Sequence, residues 1–507
     1  MSQNPALLQI NTRTWISERS ASLQRAATLA DFTDDAIARV ADDGYDWVWL
    51  LGVWQTGAAG REISLRQPEW QSEYRELLGD FAAADVVGSP FAVQEYVVSD
   101  KLGGPVSLAR LRERLAARGL KLMLDFVPNH TAPDHRWVHE HPEYYIHGSE
   151  DDLSHDPRNY RRVEGRVLAL GRDPYFPGWP DTLQLNYRHR GLREAMLDVM
   201  RSIAAQCDGI RCDMAMLVLP ETITRTWGER SRPADSSPAQ DEPFWPWAIQ
   251  SVRAERPDFT FMAEAYWDLE WTLQQQGFDY TYDKRLYDRL HGQDGGAVRG
   301  HLHADDEYQR HSVRFIENHD EPRAAAAFSP GVHEAAAVLA LLAPGMRFVH
   351  EGQSTGRRYR ASNHLRRRAV EPVDREIESF YARLLSCARR EEVRDGRWQL
   401  LEPRPAWEGN RTSEQFVAYS WKKNGQRLLV AVNYGPHRAQ CYLRLPYSDL
   451  TGAAVELHDR MNPAIALTRR GDELVGGGLY LDVPAWQHHV FTMDVQSSGQ
   501  EQAAGKS

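Results

Sequence analysis

The chain of 507 residues is 42% apolar and 10% aromatic, which suffices for a large core and at least one accessory domain. Its formal net charge of -11 and isoelectric point near 6.0 argue against a nucleic-acid partner, because neutralising phosphates requires clustered positive charge. The opening MSQNPALLQINTRTWI lacks a basic segment followed by an apolar one, and no run of about 18 apolar residues occurs, so a soluble, cytoplasmic chain with no membrane partner is expected.

Short runs rich in Val, Ile, Leu and Phe alternate with amphipathic segments up to about residue 390, the rhythm of βα units around a parallel sheet. In chain order the expected strands are 7–11, 47–53, 120–127, 209–214, 259–263, 278–282, 313–317 and 346–350. Between them, Leu108, Leu111 and Leu115 share one helix face in a helix that stops at Gly119; Leu192, Met196, Val199, Met200 and Ile203 share another. Eight βα units predict an α/β fold of the (β/α)8 barrel type rather than an open sheet. The stretch 131–186, broken by Pro, His, Asp and Gly, is too long for a plain connection and predicts a small excursion on the upper face after strand three. Beyond residue 395 the pattern turns antiparallel: FVAYSWKKNGQRLLVAVNY reads as two strands around an Asn-Gly turn, and LYLDVPAWQHHVFTMDV as another pair. The expected domains are 1–130 with 187–395 for the barrel, 131–186 for the insertion and 396–495 for a C-terminal β domain, followed by a disordered tail, 496–507. Cys207, Cys212, Cys387 and Cys441 form neither a disulfide framework nor a CxxC metal pair and are read as reduced fillers.

In such barrels, catalytic groups sit where strands end at the carboxyl face. The segments at those ends are rich in them: DFVPNH supplies Asp125, Asn129 and His130, GIRCDMAM supplies Arg211 and Asp213, MAEAYW supplies Glu264, and FIENHD supplies Asn318, His319 and Asp320. Each has a bland explanation, since an Asp often ties a turn through backbone amides and a lone His is often a structural hydrogen-bonder. Together they resist it, because turn formation does not explain acids placed after apolar runs, where burying a charge is costly. Two such carboxyls suit a retaining glycosidase, in which one attacks the anomeric carbon and the other protonates the leaving oxygen.

The four segments occur in the order and approximate spacing of the signature regions of the alpha-amylase family of retaining glycoside hydrolases and transglycosylases, glycoside hydrolase family 13, which this chain resembles over nearly its whole length. The resemblance implies Asp213 as nucleophile, Glu264 as general acid/base and Asp320 as the third carboxylate, which binds sugar hydroxyls and favours the distorted transition state. It further implies that Asp125, His130 and His319 bind the sugar and that Arg211 keeps Asp213 ionised, with Glu264 held protonated in an apolar setting beside Tyr266 and Trp267. Phe91 stands where the family usually has a stacking tyrosine, so a ring face is retained and one hydrogen bond is lost.

Other positions depart from the family. Met216 and Leu217 replace the Lys-His pair of many starch-degrading members, and Gln184 replaces a calcium-binding acid, leaving Asn129 as the matched ligand; no metal and no cofactor are therefore expected. His135, His139 and His141 have a spacing that suits a transition metal, without an obvious fourth ligand. After strand eight, HEGQSTGRRYRASNHLRRR crowds Arg357, Arg358, Arg360, Arg366, Arg367 and Arg368 into one loop. Such a loop either is paired with Glu371, Asp374 and Glu376 or binds a phosphorylated or anionic sugar, with Arg357 and Arg358 as candidate contacts. The expected substrate is an α-glucan or α-glucoside, cleaved by hydrolysis or transglycosylation. The alternatives are a glycosyltransferase or phosphorylase using a sugar phosphate, and a non-catalytic sugar-binding protein.

Overall fold

The computed structural model describes residues 2–496; the part of the expected disordered tail beyond residue 496 lies outside the described residues. Eight parallel strands close into a barrel: β1 (Ala6–Asn11), β2 (Trp47–Leu51), β3 (Lys121–Phe126), β4 (Gly209–Cys212), β5 (Thr260–Ala263), β6 (Tyr280–Tyr282), β7 (Ser312–Arg314) and β8 (Met346–His350). Each lies beside its neighbours in sequence, and β8 lies beside β1. All eight expected strands are present. They read as unbroken apolar runs because both faces of a closed parallel sheet are covered, and β2, β4, β5 and β8 are buried at every position.

Strand β7 is shorter than expected, ending at Arg314 instead of residue 317. Past its end the chain is held by side-chain contacts instead of ladder bonds: Ala324 N–H donates to Glu317 Oε2 at 2.6 Å, and Arg323 reaches Glu317 Oε1 at 3.0 Å. Helix Arg190–Gln206 buries Leu192, Met196, Met200 and Ile203 as its periodicity predicts, with Val199 at the edge of that face.

Two compact units are distinguished among the described residues: one holds Leu7–Tyr282 and Tyr359–Glu371, and the other holds Asp283–Arg358 with the first residues and the segment from Pro372 onward. In the first, the excursion after β3 is anchored by the short pairing of His130–Thr131 with Leu183–Gln184, and carries the hairpin Tyr160–Val163/Arg166–Ala169. In the second, strands Phe416–Lys423 and Gln426–Asn433 form the expected hairpin, Lys423 opposite Gln426, with Asn424 (φ 48°) and Gly425 (φ 81°) in the left-handed conformation of a two-residue turn. The other expected pair does not form. Leu479–Val483 joins a three-stranded sheet beside Ala439–Leu443, whereas His488–Gln496 lies inside a six-stranded sheet beside Gln426–Asn433. Pro484 and Trp486 (φ 58°) carry the chain from one sheet to the other instead of folding it back. Leu443, Leu481, Leu429 and Phe491 fill the core of this antiparallel domain. The Tyr419 hydroxyl shares its proton between Val338 O and Leu339 O, each at 3.1 Å, and Trp421 Nε1 donates to Leu342 O at 2.9 Å, so strand Phe416–Lys423 caps the carbonyls of helix Val332–Leu341 and its end.

Candidate active site

Register alone brings two acids together. Cys212 of β4 pairs with Ala263 of β5, so the next residue of each chain segment, Asp213 and Glu264, emerges at the same level. One step earlier, Arg211 is level with Asp125 of β3 and Met262 of β5, and it is completely buried. Its Nη1 donates to Asp213 Oδ1 at 2.5 Å, while Nη2 lies 2.8 Å from Glu264 Oε2, a charge contact outside hydrogen-bond alignment. One guanidinium therefore spans both carboxylates. The rings of Trp49, Phe91 and Tyr282 lie 5.2, 5.4 and 5.7 Å from its carbon and surround the cation with π-density. Burial opposes the charge on Arg211, but Glu264, Tyr282, Asp213 and Asp125 outweigh it and hold the guanidinium well above its ordinary pKa.

Glu264 is not in the apolar setting expected from its sequence neighbours. Met214 N–H donates to Oε2 at 2.7 Å and the Tyr266 hydroxyl to Oε1 at 2.8 Å. The first bond depends on Met214 adopting a left-handed backbone (φ 42°, ψ 46°), a conformation non-glycine residues seldom take and one concentrated at functional sites. Met214, Trp49 and Tyr282 carried no signal in the sequence, because their roles depend on backbone conformation and on facing strands.

Asp125 accepts from Trp49 Nε1 at 3.0 Å and from Gly52 N–H at 2.8 Å, so its carboxylate is fixed by two donors. His130 is buried beside Trp179, ring centroids 5.2 Å apart; burial pushes its pKa down to about 3, against the opposing hydrogen bond with the Phe91 backbone, and the ring is neutral at neutral pH. Phe91 is half-buried, with its ring toward Arg211.

The neighbouring pocket of oxygens does not fit a calcium ion. Gln184 Nε2 donates to Asn129 O at 3.0 Å, Asn129 Oδ1 at 2.9 Å and Leu185 O at 3.0 Å. A side-chain amide thus satisfies the acceptors that a hard cation would need. Among the described residues no group of three His, Cys, Asp or Glu side chains is placed to hold a metal ion. His135, His139 and His141 have separate partners: the Trp137 backbone N–H, Glu164 and Glu143.

In the second unit, Asn318 shapes the loop after β7, its Oδ1 accepting from Asp320 and Glu321 N–H at 2.9 Å each. The turn presents Asp320 to solvent beside buried His319, whose Nε2 lies 2.9 Å from Asp320 Oδ2. Behind it, Glu317, Arg323 and His350 form a buried network in which desolvation raises the Glu317 pKa and Arg323 opposes the rise. In the loop after β8, Arg357 is half-buried and Arg358 exposed; Gly352 there has a left-handed backbone (φ 85°), a conformation that favours glycine. Farther along, in the first unit, Arg360 meets Glu73 at 2.7 Å, Arg367 grips Asp85 through two 2.8 Å bonds, and Arg368 meets Glu18 at 2.7 Å. These acids precede their arginines by 287, 282 and 350 positions, so these contacts lie outside the adjacent acids considered from the sequence.

A barrel with acids at the carboxyl ends of its strands has the architecture of the (β/α)8 enzymes. The family model for the alpha-amylase catalytic domain matches residues 91–398, more than half of the chain, and the chain belongs to the alpha-amylase family. It is 24% identical over 442 residues to alpha-amylase MalA of Haloarcula japonica, covering 85% of this chain and 56% of that protein. It is also 25% identical over 265 residues to an alpha-1,4-glucan:maltose-1-phosphate maltosyltransferase of Burkholderia pseudomallei, covering 49% of this chain and 19% of that protein. The chain thus spans little more than half, or much less, of these relatives. Among solved structures, the maltogenic alpha-amylase AmyB of Thermotoga neapolitana matches with a TM-score of 0.68 at 18% identity, covering 98% of this chain and 99% of that one. An alpha-amylase of Lactobacillus plantarum matches with a TM-score of 0.64 at 21% identity, covering 97% and 99%.

Proposed function

We propose that the protein is a retaining enzyme acting on α-glucosidic bonds of oligo- or polysaccharides by double displacement, with Asp213 as nucleophile and Glu264 as acid/base. The observation that carries this reading is the single Arg211 guanidinium in contact with both carboxylates. It keeps Asp213 ionised and aimed for attack on the anomeric carbon. Glu264 Oε2 is committed to Met214 N–H and Arg211, so the proton of the acid form sits on Oε1, beside Tyr266. A hydroxyl both donates and accepts, so that contact survives either protonation state of Glu264. Once Asp213 is esterified its charge is gone, and Arg211 is left to Glu264 alone. This favours the carboxylate that must take a proton from the incoming acceptor in the second step.

In the first unit, Asp125 and neutral His130 would hold sugar hydroxyls while Phe91 offers a ring face; in the second, Asp320 with His319 is a sugar contact by resemblance to the family. That the relatives are named as an alpha-amylase and an α-1,4-glucan maltosyltransferase supports an α-glucan substrate, with water or a sugar hydroxyl as acceptor. The test is the product profile from maltooligosaccharides, with and without inorganic phosphate. Retention of the α-anomer in hydrolysis or chain-length redistribution is expected; formation of β-anomeric products would exclude double displacement.

A further inference from the structure

A cavity of about 1040 Å³ opens in the first compact unit, beside the segments that follow β1 and β2. It is lined by Arg13, Arg61, Lys101 and Arg366 and by no carboxylate, in a chain whose net charge is -11. Two of these cations are fastened along one stretch of backbone, and the main chain of a third is tied to it. The Arg13 guanidinium donates to Gly88 O at 2.5 Å and to Thr56 Oγ1 at 3.1 Å, and that of Arg61 to Val86 O at 2.8 Å and to Ala83 O at 3.2 Å; the backbone N–H of Arg366 donates to Asp85 O at 2.9 Å, which leaves its side chain free to turn toward the cavity. These acceptors are neutral, so they orient the arginines without cancelling their charge. The acids behind the wall are committed elsewhere: Arg367 grips both oxygens of Asp85 at 2.8 Å while the half-exposed Arg366 stands off at 3.5 Å, Asp125 accepts from Trp49 Nε1 and Gly52 N–H, and Asp134 accepts from Ala59 N–H at 3.0 Å. The Lys101 ammonium is exposed and has no side-chain partner among the described residues. Preorganised cations around a concave, carboxylate-free space are the condition for binding an anion with several oxygens, and guanidinium forks match phosphate geometry. The volume is that of a small-molecule site, large enough for a phosphorylated sugar.

We propose that this cavity binds a phosphate dianion, free or carried by a small sugar. The site is separate from the reading of Asp213 and Glu264 and does not depend on it. It is nonetheless linked to the sugar-binding groups, because Gly52 lines the cavity and its N–H holds Asp125 at 2.8 Å.

The experiment is titration calorimetry on the full chain with inorganic phosphate, glucose 1-phosphate and glucose 6-phosphate, using glucose and maltose as neutral controls. Each is run on the wild type, on Lys101→Glu and on Lys101→Ala with Arg366→Ala. Binding of at least one phosphate-bearing probe is expected, weakening with ionic strength and falling about tenfold or more in both variants, while their thermal midpoints stay near wild type. A sugar phosphate binding more tightly than inorganic phosphate identifies the sugar-borne form; equal affinities identify the free ion. Absence of phosphate binding at about 10 mM, or binding unchanged in folded variants, overturns the assignment, since a dianion held by these cations has to respond to their loss. Neither result bears on glucan turnover, so failure here and failure of the glycosidase reading are told apart.

Discussion

Replacing Arg211 by methionine tests the feature on which the site depends. The guanidinium is fully buried, and the side chains of Asp213 and Glu264 are 8% and 4% exposed, so its removal leaves two carboxylates in a closed space without their shared cation. Removing one partner of a buried pair costs about 3–5 kcal/mol, chiefly as the penalty of the uncompensated charge. At about 2 °C per kcal/mol for a chain of this size, the thermal midpoint should fall by roughly 6–10 °C at pH 7.5. The assay is scanning calorimetry of wild type and variant, with Arg211→Lys run alongside to keep a cation at the site and maltooligosaccharide turnover measured on all three. A midpoint unchanged in Arg211→Met would mean that the buried cation contributes nothing to stability, and retained turnover would refute its role in aiming Asp213.

Asp213→Asn should lower turnover by about 10⁴-fold or more with an intact fold, as read by circular dichroism; substantial residual activity would remove Asp213 from the nucleophile's place. Glu264→Gln should still be glycosylated by a substrate with a good leaving group, then deglycosylate slowly, with azide restoring the second step and giving an α-glycosyl azide, since a small anion needs no general base. Exhaustive chelation should leave turnover unchanged, because Gln184 occupies the oxygens of Asn129 and Leu185; loss restored by calcium alone would contradict this. His364, whose pKa burial lowers to about 3 with Arg13 and Arg360 adding to the effect, binds a proton in the unfolded chain between about pH 6.5 and 3 but not in the folded one. Its contribution is complete above that window and lost as pH falls through it, so His364→Gln should flatten the drop in thermal midpoint between pH 7.5 and 5; an unchanged drop would show the ring is protonated in the fold.

What could be read in the sequence follows the range over which the physics acts. Barrel strands are visible because burial on both faces writes an unbroken apolar run into a few consecutive residues, as in WVWLL and GIRC. Asp213 and Glu264 are visible because strand ends are local. Their relation to each other is not, since it depends on the register of Cys212 against Ala263 and on an arginine whose two contacts lie 2 and 53 positions away. The pairing of 479–483 with 488–496 fails for the same reason: each strand alternates correctly, yet Pro484 and Trp486 direct the second into another sheet, a choice made by the neighbours that cover it.

The arginine loop shows how far a partner can lie from a local rule. Arginines near acids in sequence suggest pairing with Glu371, Asp374 and Glu376; of these, Asp374 caps helix Arg375–Ala388 through the Glu376 and Ile377 N–H groups, while Arg360, Arg367 and Arg368 reach Glu73, Asp85 and Glu18 far back in the chain. Unpaired helix N–H groups at that end attract the acid more effectively than an exposed side-chain cation does. With that acid engaged, Arg367 takes Asp85, which is only 3% exposed and whose pKa is lowered first by the Arg367 hydrogen bonds and further by the Ala82 N–H. A buried carboxylate needs a cation more than an exposed one does. The distribution of charge in this loop is therefore set by which acids are buried elsewhere, and the arginine left loosely held, Arg366, is the one that faces the cavity.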